Sequence, residues 1–131
     1  MEERRAALRL DARALALAAA AAGAPALACD LPGGKLLESP RAALAYRTQP
    51  ARPAVGEHFV VELRVCRPPA QAPKADAHMP EHRHGMNYRP SVAPLGGGLY
   101  RSEGWLFHMP GRWEFVFEVG GERLTDSMRL E

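Results

Sequence analysis

The chain has 131 residues, with 17 Lys and Arg against 15 Asp and Glu and a formal net charge of +2. That length holds one domain at most. A charge this close to balance leaves no basic footprint for nucleic acid or for an anionic membrane surface.

The first 28 residues read as an export signal. "MEERRAALRLDAR" carries four arginines against three acids, and "ALALAAAAAGAPALA" follows as an apolar run ending in Ala26-Leu27-Ala28. A positive start, an apolar stretch and an A-x-A cleavage site stand in the expected order. The run is too short and too rich in alanine to span a bilayer. An exposed alanine-rich helix is the plain alternative, but Gly23 and Pro25 interrupt that helix just before the cut. The expectation is therefore a signal peptide over 1–28 and a mature domain over 29–131, periplasmic or extracellular, with no transmembrane segment. Cleavage removes four arginines and three acids, leaving thirteen basic against twelve acidic groups, or +1.

The mature chain would begin at Cys29, and the other cysteine is Cys66. In an exported protein an even pair reads first as a disulfide. Acylation of Cys29 is the second reading, although a lipobox wants leucine at the position held by Ala26. Thiolate metal ligation comes third, because free thiols oxidise outside the cytosol.

The opening "CDLPGGKLLESPRAA" reads as a loop, and period-two patterning then takes over. In "EHFVVELRVC" (57–66), Phe59, Val61, Leu63 and Val65 share one face, with Glu62 and Arg64 on the other, as in a half-buried strand. In "GRWEFVFEV" (111–119), Trp113, Phe115, Phe117 and Val119 point inward. Gly120-Gly121 then mark a hairpin into "ERLTDSMRLE". Weaker strands are predicted at 43–48, 74–79, 91–95 and 98–107, with Gly96-Gly97-Gly98 as the turn between the last two. No helical period survives after residue 28. About seven short strands separated by regular turns predict an all-β, immunoglobulin-like β-sandwich.

The stretch with chemistry in it is "HMPEHRHGM" (78–86), echoed thirty residues later by His108-Met109-Pro110. Pro80 must end the strand before it, since proline donates nothing to a sheet ladder. The residues beyond lie at the sandwich rim, where binding sites are commonly grafted. If 82–86 is extended, His82, His84 and Met86 project to one side, with Met79 approaching from the strand end. Imidazole serves several metals, whereas a thioether selects Cu(I). Methionine also supplies soft sulfur without the disulfide risk of cysteine. A zinc site would show Cys, or three His and carboxylates in a tighter pattern. Glu81 offers an optional hard oxygen.

Each piece also has a structural reading. Met79 and Met109 precede prolines and suit gap-filling at strand ends. His82 and His84 suit hydrogen bonds to loop carbonyls, and Met109-Pro110-Gly111-Arg112 suits a type II turn. His58 reads as a surface histidine. "MNYRPS" (86–91) carries a tyrosine and an arginine suited to a small pocket. No serine or cysteine stands in a nucleophile context, and no motif ties a carboxylate pair to a histidine, so no enzyme is expected.

On "DAHMPEHRHGMNYRPSV" (76–92) and "GLYRSEGWLFHMPGRWEFVFEV" (98–119), the sequence resembles the YtkA-like/FixH-like group of small bacterial envelope proteins. The resemblance rests on Met-Pro, His-x-His-Gly-Met and Asn-Tyr in fixed order, then His-Met-Pro-Gly-x-Trp. It implies an immunoglobulin-like sandwich. Because FixH-like members are linked to copper supply for terminal oxidases, it also implies a role in copper handling. Met79, His82, His84, Met86, His108 and Met109 are then the candidate ligands, and a copper-donating or copper-receiving envelope protein the expected partner. FixH-like proteins usually keep a membrane anchor, so loss of the one hydrophobic segment here favours a soluble or peripheral YtkA-like module. The competing function is a metal-free envelope interaction module whose His-Met-Pro and His-Gly-Met stretches are rigid turns.

Overall fold

A computed structural model describes residues 29–69 and 71–131; the signal-peptide expectation over 1–28 lies outside the described residues. The expected sandwich is present. Nine strands form two antiparallel sheets, and none of the described residues is helical. The strands are β1 (Lys35–Glu38), β2 (Ala43–Gln49), β3 (His58–Arg67), β4 (Lys74–Met79), β5 (His84–Gly85), β6 (Ser91–Gly96), β7 (Leu99–Leu106), β8 (Gly111–Val119) and β9 (Glu122–Leu130). One sheet runs β1-β2-β3-β7-β6, the other β5-β4-β8-β9. The chain changes sheet after β3, β5 and β7.

The count exceeds the expected seven by β1 and β5, and both escape pattern reading for a reason. β1 lies inside the predicted opening loop. It is an edge strand, paired from Lys35↔Tyr46 to Glu38↔Ala43, with Leu36 exposed at 48%. It therefore shows no alternation. β5 is two residues long and carries no period at all.

The core is aromatic. Phe59, Val61, Leu63 and Val65 of β3 meet Trp113, Phe115, Phe117 and Val119 of β8, all buried. Trp105 and Phe107 complete the layer, with Phe107 stacked on Trp113 at 4.5 Å and 11°. Trp105 donates its indole N–H to Ser102 Oγ (2.8 Å), which donates to the Ser91 carbonyl (2.6 Å). A buried polar chain is thereby satisfied across β6 and β7.

Cys29 and Cys66 form the expected disulfide, with Cα atoms 5.7 Å apart. The segment it holds crosses the outer face of β2 and β3, where Arg64 donates to the Asp30 carbonyl (2.7 Å) and Arg47 to the Pro32 carbonyl (2.5 Å). Next along the chain, Lys35 of β1 bonds Asp126 of β9 (2.6 Å), and Tyr46 donates to the same carboxylate. That carboxylate fastens one sheet edge to the other.

Candidate functional site

β4 ends at Met79, and the chain reverses over 80–83 as a tight turn closed by His82 N–H to the Met79 carbonyl (3.2 Å). Arg83 takes a left-handed φ of 54°, unusual for a residue with a β-carbon. Within 82–86 only His84 and Gly85 are therefore extended, because the turn through 82–83 must bring β5 back onto β4. Its register sets His84 opposite Met79 and His78 opposite Gly85. Opposed residues of an antiparallel pair project to one face, so His84 shares the inward side of Met79. His78 faces outward, 3.8 Å from Glu114.

His84 becomes the middle of a row of three imidazoles. Its ring centre stands 5.8 Å from that of His82 and 5.2 Å from that of His108, with planes 33° and 35° apart. A metal–nitrogen bond of about 2.0–2.1 Å puts an ion about 3 Å from a ring centre. Two imidazoles sharing an ion then stand about 5–6 Å apart, depending on the bond angle. Both spacings fall in that range. Among the described residues, no group of three His, Cys, Asp or Glu side chains is arranged to hold a metal ion. The row offers pairs, and a third donor must come from sulfur or from rotation of the exposed His82 ring.

The nitrogens are differently engaged. His84 Nδ1 lies 3.1 Å from the Gly85 carbonyl. A carbonyl only accepts, so Nδ1 carries the proton, and in the neutral ring Nε2 keeps its lone pair. Metal-ligating histidines typically hold their second nitrogen this way. His108 Nδ1 is shut off from water and has no hydrogen-bond partner, a state that costs about 1–3 kcal/mol.

The methionines divide. Met79 is fully buried in the core. Met86 and Met109 are half-buried at its edge. The Met109–Pro110 segment is a bend, and the Met109 carbonyl accepts from the Trp113 indole (3.0 Å). Glu81 is committed to Arg112 (3.0 Å), whose hydrogen bond holds the exposed carboxyl below its ordinary range. Arg112 also donates to Ser127 (3.1 Å), so the ion pair ties the histidine turn to β8 and β9.

Sequence reading left out Trp113, which it assigned to the core alone. The ring is buried, yet it lies 6.0 Å from His84 and 5.4 Å from His108, at 67° and 76°. Its position two residues after Gly111, next to His-Met-Pro, is the signal that would have found it. His58 is exposed, as expected, 6.0 Å from the ring of Tyr88. Of the "MNYRPS" stretch, Arg89 and Pro90 line a cleft of about 420 Å³ with Lys74, Asp76 and Glu118. Tyr88 stands in solvent.

Fold and site together define a small, disulfide-tied β-sandwich with an imidazole row and two thioether residues at one pole. No family model, curated protein or solved structure matches the chain.

Proposed function

We propose that the chain is an exported copper-binding or copper-handling accessory protein, of the YtkA-like/FixH-like kind its motifs resemble, working in the periplasm with an envelope protein that gives or takes the ion. The observation that carries this reading is the pair His84 and His108. Their rings stand at a distance two ligands of one ion adopt. One presents a free Nε2 through its Nδ1 hydrogen bond, and the other holds a buried nitrogen without a partner. Met86 and Met109, neighbours of these residues in sequence, supply the soft sulfur that favours Cu(I). The exposed His82 extends the row towards solvent, where an ion would enter. A disulfide is in keeping with an oxidising compartment.

The test is a Cu(I) competition titration of the chain against a His84→Ala, His108→Ala variant. At least a tenfold loss of affinity is expected. Equal, weak affinity in both proteins would end the copper reading.

The metal-free module keeps one specific observation in its favour. Met79 is wholly core, and the Met109 carbonyl is spent on Trp113, so parts of both His-Met-Pro stretches have structural work. On that reading the same substitutions lower the melting temperature equally with and without copper.

A further inference from the structure

Trp113 belongs to the core and also borders the imidazole row. The ring centres of His84, His108 and Trp113 form a nearly equilateral triangle with sides of 5.2, 5.4 and 6.0 Å. The indole cannot swing away. One face is stacked on Phe107, its N–H is held by the Met109 carbonyl, and no part of it reaches solvent. We infer that Trp113 is the floor of the metal site and makes it selective for a soft monovalent cation, an inference that rests on the copper reading above.

The argument is one of distance. An ion about 3 Å from both imidazole centres, as the metal–nitrogen bond requires, lies about 3–5 Å from the indole centre when it sits on the indole side of the imidazole pair, and up to about 7 Å on the other. Cation–π attraction operates within about 6 Å and is strongest for tryptophan. A divalent copper ion prefers tetragonal nitrogen and oxygen ligands, and a rigid apolar ring closes one of those directions. A monovalent d¹⁰ ion with two or three nitrogen and sulfur donors loses nothing by that closure. The hydrogen bond to the Met109 carbonyl also fixes the backbone next to His108. Trp113 thus both walls the site and orients one of its ligands.

Ag(I), a redox-inert monovalent probe, tests this in the full chain. Titration of wild type should quench indole emission and saturate near one equivalent. In Trp113→Phe, which keeps a ring on Phe107, the remaining Trp105 emission should not respond. Cu(I) affinity in that variant, by competition, should fall about 3- to 30-fold while Cu(II) affinity holds within twofold. A merely structural role would weaken both ions alike, and that result overturns the inference. So does His84- and His108-dependent Ag(I) binding that leaves wild-type emission unchanged, a result that spares the copper reading. Absence of Ag(I) and Cu(I) binding in wild type removes both. Should Trp113→Phe fail to fold, the wild-type emission titration decides.

Discussion

Gly111 lies over the end of Met79: a β-carbon at position 111 would stand 2.7 Å from Met79 Cε, and the glycine has a φ of 124°. The backbone disfavours any side chain, and an added β-carbon would also have to push the Met79 methyl aside. Gly111→Ala is expected to destabilise by about 1–3 kcal/mol, and Met79→Ala, which opens a core cavity, by about 2–5 kcal/mol. Chemical denaturation of both single variants and the double one checks this. Because the methyl occupies space the thioether vacates, the double variant should lose less than the sum of the two.

The disulfide closes a loop with a sequence separation of 37. Chain-entropy arguments give such a loop about 3–4 kcal/mol. A Cys29→Ser, Cys66→Ser variant should unfold at lower denaturant by that amount, and adding reductant to wild type should reproduce the loss. Reductant should leave the variant's midpoint where it is.

Ser102 is fully buried, accepting from Trp105 and donating to the Ser91 carbonyl. Ser102→Ala strands the indole N–H in the core. The expected cost is about 1–3 kcal/mol, larger than a polar-to-alanine change on a surface strand, and readable from the melting temperature. Emission from Trp105 should change as well.

Asp126 sets the response to pH. Burial works against its ionisation, but hydrogen bonds from Lys35 and Tyr46 and the Lys35 charge outweigh it, so the carboxyl sits below its ordinary value. A depressed folded pKa means stability that is full above the unfolded value of about 3.9 and is lost as pH falls through the folded value. Burial, and then Asp126 itself, push the Tyr46 phenol upward. Its contribution is full below about pH 10 and is lost on further alkalinisation. Asp126→Asn should therefore lose less stability than wild type between pH 5 and pH 3, in urea melts at each pH.

If copper binds as proposed, His84→Ala with His108→Ala separates metal-linked from structural stability. A ligand at about a hundred times its dissociation constant stabilises by about 2.7 kcal/mol. Wild type should gain such an increment on Cu(I) loading and the variant should not. Melting curves with and without the metal give both numbers.

The sandwich was legible because alternation is unbroken where one face is buried. Phe59 to Val65 and Trp113 to Val119 gave β3 and β8 almost residue for residue. β1 was hidden because an edge strand with an exposed leucine has no buried face to print on the sequence. The site was legible in composition but not in arrangement. His82 and His84 were picked out as a pair, but the turn at Arg83 and the Met79↔His84 register that bring His84 alongside His108 are not written in their spacing. Nothing in a one-dimensional pattern marks a residue for a left-handed turn when it is not glycine. Trp113 was read as core because alternation reports burial and is silent on what lies at the rim beside a buried ring.

The bridge between Cys29 and Cys66 lies at the opposite end of β3 from the imidazole row. Cys66 is eight residues along β3 from His58, roughly 25 Å at the strand rise, and β3 pairs His58 with Leu106, two residues short of His108. The bridge thus holds residue 29 at the end of β3 away from the imidazoles.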